Sequence, residues 1–147
     1  MSGSTLRGRV MNLLPDEVTS AFTQRTIPPQ ARDGRIRCKF VLMRAEAVNI
    51  MVVGLVDTYP YHANLVEKYC DVEGIASHWL RKPDQVEILD RCHCVAGGGW
   101  LELNFTDGQM KAYGYSTAYG PFDRVIFRQL PTSAGFFDRA SVVIEGE

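Results

Sequence analysis

The chain has 147 residues, of which 46% are hydrophobic and 22% are charged, and its formal net charge is −1. This length and composition suit one globular domain with a buried core. A charge so close to zero argues against a nucleic-acid-binding protein, and no apolar run approaches the ~20 residues that a membrane span needs.

The N-terminal segment carries no targeting signal that we recognise. MSGSTLRGR lacks the apolar core of a signal peptide, so we expect a cytoplasmic protein that acts without a membrane and as a monomer. Residues 1–8 are small, polar and basic, and we expect them to be disordered, with residues 9–147 forming one domain. Residues 10–14 predict a short strand that ends at Pro15.

The next predicted elements are two strands after a loop. Residues 24–35 contain two prolines and a glycine, which indicates the loop. IRCKFVLMRAE, from residue 36, alternates as a strand does, and it places Lys39 on the less apolar face. VNIMVVGLV, residues 48–56, predicts a strand that is buried on both faces. The short connection between them favours a hairpin.

An amphipathic helix follows, and then a second group of strands. Apolar residues recur at steps of three and four from Leu65 to Leu80, and Pro60 suits the first turn of a helix. RKPDQ, residues 81–85, ends this helix, and residues 86–95 predict a strand. Gly97 to Gly99 then indicate a bulge, after which residues 100–105 continue as a strand.

The last part of the chain predicts two more strands and a short helix. TDGQ, residues 106–109, is a turn, residues 110–116 form a strand, and residues 121–130 form a helix with Val125, Ile126 and Leu130 facing inward. Residues 141–144 form a final strand. The predicted fold class is α/β (α+β), with a single central mixed sheet of about six strands flanked by two helices.

The stretch YGYSTAYGP, residues 113–121, joins a predicted strand to a predicted helix. A turn of small residues before a helix exposes backbone N–H groups that bind anions, and phosphate above all. Ser116 and Thr117 add hydroxyl donors, and Ala118 leaves room for the anion to approach. The competing interpretation is that the chain needs small residues here only to turn.

Two further residues suggest chemistry. His62 lies in the first turn of the amphipathic helix, where the positive helix end favours a neutral imidazole that can act as a base or nucleophile. Lys39 would direct a positive charge at a phosphate. The alternatives are that His62 caps the helix or lies on the surface, and that Lys39 lies on an exposed sheet face.

Cys92, His93 and Cys94 raise the possibility of a zinc site. On a strand, however, the two cysteines would point to one side and the histidine to the other. The second pair of ligands that a structural zinc site needs is also missing. We therefore expect no metal and no other cofactor, and four free thiols.

Four segments together resemble one family. CKFVLMR (38–44), YHANL (61–65), GGG (97–99) and YGYSTAYGP (113–121) are similar to the protein phosphohistidine phosphatase family, also called the janus family. The resemblance covers residues 9–146, with the last segment as its most specific part. It implies a small α/β fold with a central mixed sheet, and an enzyme that removes phosphate from phosphohistidine in proteins without a metal.

The resemblance also implies roles for individual residues. His62 takes the place of the catalytic histidine, as general base or as a transient nucleophile, and Lys39 that of the substrate-binding lysine. The backbone N–H groups of the turn at Ser116, Thr117 and Ala118 would hold the phosphate, with help from the backbone of Ala63. The implied partners are phosphohistidine-containing proteins. The alternative function is a non-catalytic janus-family protein that binds a phosphorylated partner or a small anion.

The chain also departs from the family pattern. Gly54 and Trp100 occupy positions where the resemblance leads us to expect arginines, and the segment between His62 and Gly97 is longer. The loss of two positive charges bears on the affinity for a phosphorylated protein more than on the chemistry.

Overall fold

The computed structural model describes residues 7–133, 137 and 140–146 of the chain. In chain order the elements are β1 (Arg7–Asn12), α1 (Asp16–Gln24), β2 (Arg35–Ala45), β3 (Val48–Leu55), α2 (His62–Glu73), β4 (Ser77–Arg81), β5 (Gln85–Ile88), β6 (His93–Asn104), β7 (Gln109–Tyr113), α3 (Arg124–Ser133) and β8 (Ser141–Ile144). The disorder expected for residues 1–8 concerns mainly residues outside the described part, but residues 7 and 8 belong to β1.

The core of the fold is a mixed sheet of six strands in the order β1-β3-β2-β6-β7-β8. The outer pairs β1–β3 and β7–β8 are parallel, and the inner pairs are antiparallel. Strands β4 and β5 form a separate hairpin. This confirms the predicted α+β class and the single central sheet, although the described residues include three helices instead of two.

The helices cover both faces of the sheet. Phe40 and Leu42 of β2 pack in one hydrophobic cluster with α1 and α3, whereas Val41 and Met43 pack in the other with α2. This alternation within one strand follows from the two-residue period of a β-strand. No helix in the described part of the chain is long and apolar enough to cross a membrane.

The predicted helix over residues 65–80 was too long. Helix α2 ends at Glu73 because Gly74 adopts a left-handed conformation, with φ of 69°, that terminates it. Trp79 and Leu80 lie instead in β4. Trp79 still packs toward α2, and its Nε1 donates to Glu67 Oε2 at 3.0 Å. It therefore appeared in the sequence at a spacing typical of a helix, although its backbone is a strand.

Three other features of the structure differ from the prediction. Helix α1 was missed, although its buried residues Val18, Ala21 and Phe22 follow helical spacing. The predicted strand over residues 86–95 is split between β5 and β6, and β6 runs through the glycine triplet. The prediction that Val125 faces inward was wrong, since 66% of Val125 is exposed. Phe127 is the residue of α3 that is buried in the core instead.

Candidate functional site

A surface cavity of about 340 Å³ lies where β2, β6 and the start of α2 meet the loop after β7. Its lining residues are Lys39, Tyr61, His62, Asp84, Trp100, Tyr115, Ser116, Thr117 and Ala118. Five of the six residues singled out from the sequence are therefore brought together. The exception is Ala63, whose side chain is fully buried in the core under α2.

The start of α2 fixes the position of His62. Tyr61 is the N-cap, and its N–H donates to Oδ1 of Asn64 at 2.9 Å. The N–H of Asn64 in turn donates to the carbonyl of Tyr61 at 3.0 Å. The amides of His62 and Ala63 stand in the first turn, where a helix offers no backbone acceptor. They also lie at the positive end of the α2 dipole.

The imidazole of His62 is held in one tautomer. Its Nε2 lies 2.9 Å from the carbonyl oxygen of Gly99. Because a carbonyl only accepts, Nε2 carries the hydrogen and donates it, which leaves the lone pair on Nδ1. Only 8% of His62 is exposed. Burial lowers the pKa of His62, and the charge of Lys39 lowers it further against the opposing effect of the Gly99 hydrogen bond. His62 is thus a neutral base at physiological pH.

This lowered pKa predicts a pH dependence of stability. The unfolded chain binds a proton at His62 near pH 6.5, whereas the native protein binds it only at lower pH. The free energy of unfolding should therefore be highest above pH 6.5 and fall as the pH is lowered through the window beneath it. Urea denaturation of the native chain and of His62→Gln across this window checks it. The free energy of unfolding should change less steeply with pH in the variant than in the native chain, and equal pH dependence in the two proteins would contradict the prediction.

The glycine triplet allows β6 to approach α2 closely. A Cβ atom at Gly98 would lie 2.6 Å from the carbonyl oxygen of Phe40 and 3.1 Å from Cδ2 of His62. A Cβ atom at Gly99 would lie 2.9 Å from the ring of Phe122. Only glycine therefore lets the Gly99 carbonyl reach His62. Sequence reasoning gave the triplet a structural role as a bulge and did not find this hydrogen bond.

Lys39 presents a largely buried cation. It lies on β2 between Gly54 and Trp100 of the neighbouring strands, and 9% of it is exposed. Its Nζ donates to the carbonyl oxygen of Pro60 and lies 4.7 Å from the centroid of the Trp100 ring. Burial, and then the charge of Arg37, lowers the pKa of Lys39. Among the described residues no carboxylate forms an ion pair with it.

The turn after β7 closes on itself through Ser116 and Gly120. The N–H of Ser116 donates to the Gly120 carbonyl at 3.2 Å, and the N–H of Gly120 donates to the Ser116 carbonyl at 2.7 Å. Oγ of Ser116 accepts the N–H of Tyr119 at 3.1 Å. Within the described structure no hydrogen bond engages the amides of Thr117 and Ala118. Thr117 and Ala118 line the cavity, so their amides are free donors there, and Ser116 mainly shapes the turn.

The helix dipole at this cavity comes from α2 and not from α3. Helix α3 begins at Arg124, beyond the turn. The carboxylate of Asp123 already accepts the N–H of Ile126, at 3.0 Å. The sequence-based expectation that the turn runs directly into the helix after it was therefore wrong.

One family of known proteins matches most of the chain. The sequence model of the Janus/Ocnus family matches residues 26–134, about three quarters of the chain. The chain belongs to the Janus/Ocnus family. No curated protein is significantly similar to it. The matched range of this Janus/Ocnus protein contains Lys39, His62 and the turn at residues 116–118.

The structure explains what occupies the two positions where arginines were expected. A Cβ atom at Gly54 would lie 2.4 Å from the ring of Tyr59, so this ring takes the space of any larger side chain. Two cations lie close to the Trp100 ring, with Lys39 Nζ at 4.7 Å and Arg37 Cζ at 4.9 Å from its centroid. At the second position, an aromatic ring that contacts two cations therefore stands where a further cation was expected.

Asp84 and Tyr119 also belong to the cavity or its support, and sequence reasoning found neither role. Asp84 reaches the cavity from the connection between β4 and β5. Tyr119 fastens this hairpin to the turn. No local pattern signals such contacts, because the hairpin and the turn are more than thirty residues apart along the chain.

The Cys-His-Cys segment lies elsewhere. Cys92 and Cys94 are exposed and not in disulfides, and with His93 they line a shallow depression beside Arg44 and Arg91. Among the described residues, no three histidine, cysteine, aspartate or glutamate side chains lie close enough to hold a metal ion.

Proposed function

We propose that this Janus/Ocnus protein is a protein phosphohistidine phosphatase that works without a metal. The observation that carries the proposal is the cavity that joins the Nδ1 lone pair of neutral His62 to the cation of Lys39 and to the free amides of Thr117 and Ala118. A base beside anion-binding donors is the arrangement that hydrolysis of a phosphoryl group requires.

The residues suggest how the phosphoryl group is held. Its oxygens accept hydrogen bonds from the amides of Thr117 and Ala118, while Lys39, which also lines the cavity, neutralises charge. The first-turn amides of α2, including that of Ala63, add the positive end of the helix dipole. This arrangement stabilises the charge that spreads over the equatorial oxygens in the transition state.

His62 then acts as the general base. Water attacks phosphorus in line with the P–N bond, and its proton passes to Nδ1 of His62. The P–N bond breaks, and its electron pair returns to the substrate ring, which bears a proton on its other nitrogen and so leaves as a neutral imidazole. Hydrogen phosphate is released, and His62 passes the proton that it took to solvent. The carbonyl of Gly99 keeps Nε2–H of His62 in place, and it stabilises the imidazolium that forms. Since the P–N bond is labile, the site needs positioning and charge stabilisation more than a strong acid.

Lys39 supplies a testable part of this scheme. Replacing it with methionine keeps most of the side-chain volume but removes the charge, so we expect KM for a phosphohistidine peptide to rise about tenfold. Steady-state phosphate release measures this. The matched control is Lys68→Met, an exposed lysine on α2 outside the cavity, which should leave KM unchanged. An unchanged KM in Lys39→Met would remove Lys39 from the site.

The competing function is a binding protein that holds a phosphorylated partner in the same cavity without cleaving it. The test measures binding and phosphate release together, with a phosphohistidine peptide and a phosphoserine peptide of the same sequence. Release from the phosphohistidine peptide supports the phosphatase. Binding without release over several hours assigns the cavity to recognition, and neither binding nor release would contradict both functions.

A further inference from the structure

An acidic residue lines a cavity whose other lining residues include hydrogen-bond donors and one cation, Lys39. Asp84 borders the same space as Lys39, His62 and the turn at residues 116–118. An ionised carboxylate next to a phosphate site repels the phosphate. Its presence is understandable if the bound substrate also carries an N–H donor or a positive charge.

The hairpin that carries Asp84 is fastened to the phosphate-binding turn. The hydroxyl of Tyr119 donates to the carbonyl of Val86 at 2.9 Å and accepts the N–H of Val86 at 2.8 Å. Val86 is only 3% exposed and packs in the same cluster as α2. On the other strand of the hairpin, Trp79 donates to Glu67 of α2. The position of Asp84 at the cavity therefore follows from packed contacts.

The side chain of Asp84 is oriented and ionised. Nε of Arg81 donates to its Oδ1 at 3.0 Å, and this hydrogen bond lowers the pKa of Asp84. A carboxylate accepts up to about four hydrogen bonds, so Asp84 retains capacity for a further donor. Its side chain is 40% exposed, which leaves it accessible from the cavity.

We propose that Asp84 accepts a hydrogen bond from the ring nitrogen of phosphohistidine that does not carry the phosphoryl group, and so selects N-phosphorylated basic side chains over phosphoserine and phosphotyrosine. This inference rests on the proposed phosphatase activity. It makes Asp84 a specificity-determining residue on the leaving-group side, while Lys39 and the turn hold the phosphoryl group.

The chemistry of the leaving group gives Asp84 its effect. When the second ring nitrogen bears a proton, cleavage of the P–N bond returns the electron pair to the ring and expels a neutral imidazole. Asp84 stabilises the protonated ring before cleavage, and the proton stays on the substrate throughout. The ester oxygen of phosphoserine or phosphotyrosine leaves with no N–H to offer, so it gains nothing from Asp84 while still meeting its negative charge.

The test compares two ligands that resist hydrolysis. 1H-pyrazol-4-ylphosphonate has a ring N–H, and phenylphosphonate is an aromatic phosphonate of similar size without one. In calorimetry at pH 7.5, the native protein should prefer the pyrazole about fivefold, the size expected of a charged hydrogen bond that stays partly open to water. Asp84→Leu, which removes the acceptor at similar side-chain size, should abolish the preference without weakening the binding of phenylphosphonate. Glu87→Gln, a carboxylate of the same hairpin outside the cavity, should keep it.

Each outcome decides the proposal. A preference that survives in Asp84→Leu, or an equal loss of affinity for both ligands, would overturn the selective role of Asp84. Phosphate release from a phosphohistidine peptide is measured on the same samples, and kcat/KM should fall about fivefold in Asp84→Leu. If the native protein prefers the pyrazole but releases no phosphate, the role of Asp84 in recognition stands and the phosphatase activity fails.

Discussion

Replacing His62 with alanine should lower the rate of phosphate release from a phosphohistidine peptide by about 10²- to 10⁴-fold, the range for loss of a general base. The reason is local. His62 carries the lone pair at the cavity on Nδ1, and its burial keeps that nitrogen unprotonated. Stopped assays of inorganic phosphate measure the loss, and circular dichroism checks that the variant is folded.

The control is His78→Ala. His78 lies on β4, where its half-exposed side chain pairs with Glu87 at 3.1 Å and does not line the cavity. This variant should keep the native rate.

Added imidazole should partly restore the activity of His62→Ala, because a small base can occupy the vacated space. A base role also predicts that no phosphorylated His62 accumulates during turnover. A trapped phosphoprotein would make His62 the nucleophile, and full activity in His62→Ala would remove it from the mechanism.

Replacing Gly97 with alanine should produce the largest loss of stability, about 3 kcal/mol or more. A Cβ atom at this position would lie 1.9 Å from the carbonyl oxygen of Pro121, and φ of Gly97 is +100°. Both the close approach and the backbone angle exclude a side chain, so β6 or the loop before α3 must move. Thermal unfolding measures the effect, and the melting temperature should fall by roughly 10 °C.

Gly74→Ala is the matched control for Gly97→Ala. Gly74 also has a positive φ, +69°, but nothing lies within 4 Å of a Cβ atom built there. Gly74→Ala should lower the free energy of unfolding by only about 1 kcal/mol, the cost of holding a residue with a side chain at a positive φ. A similar loss in the two variants would mean that the contact with Pro121 carries no weight. The Gly97 variant should also lose activity, since the neighbouring Gly98 N–H donates at 3.1 Å to the carbonyl of Gly120 in the turn that we propose to bind phosphate.

The sequence predicted best those elements whose pattern is local. Strands β2, β3 and β8 follow from alternation or from a β-branched run, and the structure confirms them. The helix over residues 65–80 was overextended because Trp79 kept the helical spacing while packing back on α2 from a strand. Gly74, which terminates α2, gave only a weak signal along the chain.

The candidate site was only partly predictable for a different reason. Lys39, His62 and the turn at residues 116–118 are far apart in the chain, and the resemblance to one family linked them. The Gly99 carbonyl that sets the His62 tautomer is a backbone atom, which no side-chain pattern reveals. Asp84 reaches the cavity from a hairpin that Tyr119, Val86 and Trp79 hold in place. Such contacts depend on tertiary structure, since they join segments that have no local relation.

The most direct measurement is phosphate release from a phosphohistidine peptide at pH 7.5 by the native protein and by His62→Ala, each with and without EDTA. The account predicts release by the native protein at a rate that EDTA does not change, and near-background release by the variant. Native protein that binds the peptide but leaves its phosphate in place, or release that EDTA abolishes, would contradict a metal-independent phosphatase built on His62.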